Sequence, residues 1–258
     1  MGMSTQQAAE EMKGAKELYL AFCRFTNLPY VTEGEESAND QAWVFTSESQ
    51  IKEFGKKKLE VKIVLLGMKY EKKNYEQMFR ILYAVDVNAV LYHNGKEEVE
   101  IGLEELYPAP DYSGMEEKKR PLYNPGLQLC GIYFLQKLRR PVKAEERGDL
   151  RELEEEFLVN LDKAAFLVPM QVDPKNPKRI IIPLVKNNKG EMMQPAFTDQ
   201  FELEKFTKGK RVNAVKFTFQ DLRKLLKEQV KWVIINPLGF NLPMDQKLFD
   251  RVERLTSE

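Results

Sequence analysis

Apolar residues recur along the chain in two rhythms. Over residues 149–165 they fall at Leu150, Leu153, Phe157, Leu158 and Leu161, with Glu152, Glu154, Glu155 and Glu156 on the other side. That spacing predicts an amphipathic helix, with Asp149 as its cap and acids near its positive end. A second stripe, Tyr75, Met78, Phe79, Leu82 and Tyr83, predicts a helix behind Asn74 as cap. A third is carried by Phe219, Leu222, Leu225 and Leu226. Further helices are expected over about residues 5–25, 126–139 and 244–255. Short β-branched and aromatic runs predict strands at 28–31, 42–45, 59–66, 88–92, 99–103, 166–172, 179–185, 214–219, 231–235 and 240–243. The turn Asp173-Pro-Lys-Asn-Pro177 makes 166–172 and 179–185 a hairpin, and Pro169 and Pro183 place it at an edge or bulge.

The order of these elements repeats. Residues 45–54 read Phe-Thr-Ser-Glu-Ser-Gln-Ile-Lys-Glu-Phe, and residues 197–206 read Phe-Thr-Asp-Gln-Phe-Glu-Leu-Glu-Lys-Phe, at a constant offset of 152. Each segment ends a strand in Phe-Thr and opens a helix. Ser47 and Asp199 are the caps, and Gln50 and Glu202 stand where a capping-box partner belongs. Ile51 with Phe54, and Leu203 with Phe206, then share one helical face. Downstream, each half continues with strand, helix, strand and turn, the turns being His93-Asn-Gly95 and Asn236-Pro-Leu-Gly239.

This pattern predicts an α+β protein of two tandem similar domains, each a mixed or mainly antiparallel sheet with helices packed on it. The expected divisions are residues 1–108, a connector at 109–140 with a helix, and 141–258. The turn-rich Tyr107-Pro-Ala-Pro-Asp-Tyr-Ser-Gly114 marks the first boundary. The basic set Lys137, Arg139, Arg140 and Lys143 precedes Glu145 and Glu146, and reads as solvated surface with local pairing.

Charge narrows the function classes. Lys+Arg and Asp+Glu are 40 each, so the electrostatic footprint of a nucleic-acid or anionic-membrane binder is missing. No apolar run approaches the ~20 residues that span a bilayer, and the first residues lack the basic and apolar regions of a signal peptide. The two cysteines, Cys23 and Cys130, lie in apolar stretches and read as buried thiols of a cytoplasmic protein. With one histidine, His93, read as a polar turn residue, they make no zinc site of soft ligands, and no cofactor is expected. Neither a phosphate-binding glycine loop nor a Gly-x-Ser-x-Gly elbow is present.

The second half resembles the SseB family of bacterial proteins. The residues that carry the resemblance are Ala165-Phe-Leu-Val-Pro169, Ile182-Pro-Leu184, Pro195-Ala-Phe-Thr-Asp199 with Leu203 and Phe206, and Asp221-Leu222. Val233-Ile-Ile-Asn-Pro237, Gly239 and Leu242-Pro243 complete it. The first half keeps Phe45-Thr46 but has His93-Asn-Gly95 for Asn-Pro-x-Gly, and reads as a diverged copy. The resemblance implies an intracellular, compact α/β domain and brings no established catalytic residues with it.

The expected function is therefore that of a non-catalytic cytoplasmic binding or adaptor protein whose partner is another protein. The alternatives are a small-molecule sensor or metal-independent enzyme using carboxylates, and a chaperone or immunity partner of a secreted or toxic protein. Phe-Thr-Asp199 and Asn236-Pro-Leu-Gly239 each end a strand; if those strands run side by side, both turns share one rim of the sheet. The candidate partner-binding residues are Thr198, Asp199 and Asn236 as polar groups, with Leu238, Gly239 and Phe240 at the turn. Both segments also have a structural reading, as a core anchor with a helix cap and as a tight turn.

Overall fold

The computed structural model describes residues 2–173 and 175–257. The chain divides into two compact units, Met1–Met115 with Gly131–Leu150, and Glu116–Cys130 with Arg151–Glu258.

In the first unit α1 (Thr5–Gly14) opens behind a capping box, in which Ser4 Oγ accepts the Gln7 N–H and Gln7 returns a bond to the Ser4 N–H. There follow β1 (Glu17–Cys23), β2 (Leu28–Pro29), β3 (Val31–Glu33), β4 (Asp40–Phe45), α2 (Glu48–Glu60), β5 (Leu65–Glu71), α3 (Tyr75–Ala84), β6 (Ala89–His93), β7 (Glu98–Gly102) and α4 (Leu103–Leu106). The strands make one sheet in the order β2-β1-β4-β6-β7, with β3 on β4 and β5 on β1. β4 and β6 run parallel and every other pair is antiparallel.

Three expectations are corrected here. The helix expected over residues 5–25 stops at Gly14, and residues 17–23 are the central strand β1. Leu18, Leu20, Ala21 and Cys23 are all fully buried, so both faces of β1 are covered. Such a strand is a continuous apolar run, which periodicity alone does not separate from a helix. The strand expected at 59–66 begins instead at Leu65. The capped helix α2 runs on through Glu60, Lys62 turns the chain at φ +62°, and Leu59 and Val61 stay exposed. Asn74 holds the cap position of α3 but its side chain makes no cap bond.

Helix α5 (Pro125–Leu138) is apportioned between the units at Cys130. Within the first unit, Gln136 bonds both the N–H and the C=O of Val31, at 3.4 and 3.2 Å. Arg139 is not the solvated cation expected. It donates to the Phe25 carbonyl at 2.8 Å, and burial lowers its pKa.

The second unit continues with α6 (Arg151–Lys163), β8 (Ala165–Asp173), β9 (Asn176–Ile181), β10 (Val185–Lys186), β11 (Met192–Ala196), α7 (Gln200–Thr207), β12 (Asn213–Thr218), α8 (Phe219–Arg223), β13 (Trp232–Ile235), β14 (Leu242–Met244) and α9 (Gln246–Thr256). One sheet has the order β10-β11-β13-β14 and another the order β12-β8-β9. The expected hairpin forms, β8 against β9, although Pro174 in its turn lies outside the described residues. Pro183 lies past β9 rather than in a strand. The third stripe gives a helix of only five residues, because the Lys227↔Val230 bridge closes a tight turn soon after Leu226. The last strand starts at Leu242 rather than Phe240, since Asn241 sits at φ +49° and ends the turn there. Phe157, Phe166, Phe197, Phe219, Phe240 and Phe249 are fully buried and form the aromatic centre of this unit's core.

The two units share their order of helices and strands throughout, α1 to α4 against α6 to α9. Their pairings correspond as well. β5 lies antiparallel on β1 as β12 does on β8, β4 is parallel to β6 as β11 is to β13, and β7 and β14 close the same edge. Tyr19 pairs Phe45 in the first unit, and Leu167 pairs Phe197 in the second. The Phe45 and Phe54 rings lie 5.1 Å apart at 44°, and the Phe197 and Phe206 rings 5.1 Å apart at 47°.

Candidate functional site

Parallel pairing brings the two candidate turns together. Ala196 is opposite Ile235 on β11 and β13, and both chains turn immediately afterwards. The Asn236 N–H donates to the Ala196 carbonyl at 2.9 Å, and Asn236 then adopts φ +46°, a left-handed conformation that asparagine tolerates. Its carbonyl accepts the N–H groups of Gly239 and Asn241, both at 2.8 Å, closing the turn.

The polar side chains at this rim point inward and bond one another. Asn236 Oδ1 accepts the Thr198 N–H at 3.0 Å, and Asn236 Nδ2 donates to Thr198 Oγ1 at 2.8 Å. Thr198 Oγ1 also accepts from Gln128 Nε2 at 2.8 Å and donates to Asp199 Oδ2 at 2.7 Å. Its proton and both lone pairs are thus engaged within the network. Asp199 Oδ2 takes a second bond from Gln128 Nε2 at 2.6 Å, while Asp199 Oδ1 caps α7 through the Glu202 N–H at 2.9 Å. From below, Asn124 Nδ2 donates to the Ala165 and Thr198 carbonyls at 2.8 and 2.5 Å. Each bond gains strength from the low dielectric of a buried site.

Thr198, Asp199, Asn236, Gly239 and Phe240 are therefore all buried, and of the six candidates only Leu238 is exposed, at 46%. The six residues are brought to one rim, but five face the protein and one faces solvent.

Sequence reasoning missed two members of the network, Gln128 and Asn124, and misread the role of Glu202 beside it. Gln128 interrupts an otherwise apolar helix run, Leu127-Gln-Leu-Cys130, and that lone amide was the available signal. Asn124 stands immediately before α5 and has the local look of a cap. Glu202 was expected to return a capping-box bond, as Gln50 does in the first unit. Instead its Oε1 pairs with Lys205 Nζ at 2.5 Å, and its Oε2 has no hydrogen-bond partner among the described residues. Burial raises the Glu202 pKa, and the neighbouring Asp199 raises it further against the pull of Lys205.

Glu202 sits beneath the turn. A Cβ placed on Gly239 would lie 2.5 Å from Glu202 Oε2, so a larger residue here would have to displace the Glu202 carboxylate. The first unit repeats the arrangement, since a Cβ on Gly95 would lie 2.5 Å from Gln50 Nε2. There His93 takes the place of Asn236, paired with Phe45 in register. Its Nδ1 accepts the Gly95 N–H at 3.0 Å, which makes it the turn residue expected, at the end of β6.

Cys23 and Cys130 are both buried, and burial raises the Cys23 pKa. Among the described residues, no three His, Cys, Asp or Glu side chains come together as a metal site, and no helix is long and apolar enough to cross a membrane.

Comparison with known proteins bears on the second unit. No curated protein matches the sequence. A solved structure titled Anabaena Tic22 (protein transport) is similar at 12% identity over 98% of each chain, with a TM-score of 0.22, a likeness too slight to carry an argument. The family model described as SseB protein N-terminal domain matches residues 142–247. That span holds β8 to β14 and the whole Thr198–Asn236 turn apart from its α5 contacts, so the likeness to the SseB N-terminal domain covers the second half of this protein.

Proposed function

We propose that this chain is a non-catalytic binding or adaptor protein that engages another protein through the rim of its second unit. The observation that carries the reading is Leu238, a large apolar side chain 46% exposed at the tip of a turn whose flanks are fixed by a buried hydrogen-bond network. A rigid backbone holding one apolar anchor outward loses little entropy on binding. Thr198, Asp199, Asn236, Gly239 and Phe240 act by shaping the turn, and Leu238 makes the contact. The two units descend from one duplicated domain, residues 1–108 and 141–258 about a connector at 109–140, and matching pairings and matching Phe pairs support that reading. Two buried cysteines in apolar surroundings fit a reducing cytoplasm.

The test is Leu238→Asp in the full chain. Its melting temperature is expected to be unchanged, because the side chain lies outside the network. Crosslinked capture from native lysate is expected to lose a partner that the wild type retains. A partner held equally by the folded variant would reduce the rim to a structural turn.

A further inference from the structure

We propose that each unit carries a groove beside an unpaired edge strand, built to accept an extended acidic peptide as an added strand. Leu238 lines neither groove.

The first groove lies between α2 and β5. Strand β5 pairs with β1 over its full length, from Glu17↔Glu71 to Cys23↔Leu65, and among the described residues its other edge pairs with nothing. Gly67, at its middle, is exposed, and a glycine exposes its backbone. Leu66 and Met68 are 42% and 44% exposed on the face turned away from α2. An open edge with apolar neighbours is a template for another strand. The cavity beside it is about 400 Å³. Ile51 packs onto Gly67, where a Cβ would lie 2.9 Å from Ile51 Cγ2, while a Cβ on Gly55 would meet open space. One glycine thus lets the helix close on the strand, and the other keeps the mouth open.

The second unit repeats this device. Among the described residues β12 pairs only with β8 and exposes Val215, and a cavity of about 800 Å³ lies between α7, the start of β12, and Met170 and Gln171 of β8. Ile51, Lys52 and Gly55 line the first cavity; Leu203, Glu204 and Thr207, each 152 residues later, line the second. Cavities at equivalent helix positions in the two units point to a retained use of the shape.

Charge selects the occupant. At the first mouth Lys52 is paired with Glu48 at 2.6 Å and Lys56 adds a further cation, and at the second Lys210 and Arg211 outnumber Glu204. A second copy of this chain pairing β5 with β5 would bring the same lysines against themselves. An extended segment with carboxylates at alternate positions meets both requirements: main-chain bonds to the free edge, and acids toward the cations.

The probes are two synthetic peptides of about seven residues, alternating valine with glutamate or valine with lysine. Amide hydrogen exchange of the full chain is followed at residues 65–71 and 213–218. The glutamate peptide is expected to slow exchange at both strands by about tenfold, and the lysine peptide to leave both unchanged. Lys52→Glu with Lys56→Glu, on an exposed helix face, is expected to abolish the slowing at 65–71 and spare 213–218. Leu238→Asp is expected to alter neither, which separates this proposal from the rim. Unchanged exchange at both strands with the glutamate peptide, or equal slowing by the lysine peptide, would overturn it.

Discussion

Asn236 is the residue on which the rim depends, and two substitutions separate its two roles. Its amide satisfies the buried Thr198 N–H at 3.0 Å and supports Thr198 Oγ1 at 2.8 Å, and its backbone holds φ +46°. Asn236→Gly keeps the left-handed conformation and removes the amide. Leaving the Thr198 N–H unpaired costs about 1–3 kcal/mol, and glycine's extra chain entropy adds about 0.5–1. The expected loss is about 2–4 kcal/mol. Asn236→Ala removes the same bonds and adds a left-handed penalty of about 1–2 kcal/mol in place of the glycine entropy. Alanine is therefore expected to be the worse by about 0.5–1 kcal/mol. The assay is urea unfolding followed by Trp232, made the sole indole by Trp43→Phe, since the chain has two tryptophans and Trp232 lies on β13. If both variants lose less than about 0.5 kcal/mol, the network does not hold the turn. If glycine is worse than alanine, the left-handed argument is wrong. These magnitudes also make Asn236→Ala a poor probe of binding, because it disturbs the fold that Leu238→Asp leaves intact.

Two further outcomes follow from burial. Glu202 has a pKa raised above its ordinary 4.5, so its share of stability is full below about pH 4.5 and is lost as pH rises through the folded value. Glu202→Gln, which places in the second unit the residue the first has at Gln50, is expected to flatten that dependence and to match or exceed the wild type at pH 7 by about 1 kcal/mol; urea midpoints between pH 4 and 8 that run parallel for the two proteins would refute this. Cys23 and Cys130 are expected to react with a thiol reagent only on the timescale of unfolding and fully in denaturant, and rapid reaction of either in the native protein would contradict their burial.

The sequence by itself determined the helices α2, α3, α6 and α7, the alignment of Phe45-Thr46 with Phe197-Thr198, and the caps at Ser47 and Asp199, because caps, turns and amphipathic stripes are local signals. It placed the Asp199 and Asn236 turns on one rim only on the condition that their strands run side by side, and the parallel pairing of β11 with β13 met that condition. It misassigned residues 17–23, because an apolar run reads as strand or helix according to whether neighbours cover both its faces. Only the tertiary structure decided that the rim's polar groups turn inward. Gln128 and Asn124 lie some 70 residues from Thr198 in the chain, and no local pattern encodes a bond at that separation. The same holds for Glu202, whose neutral or charged state is set by the Gly239 turn above it and the Lys205 and Asp199 charges beside it. Burial is a property of what packs against a residue, and for this site what packs there arrives from distant parts of the chain.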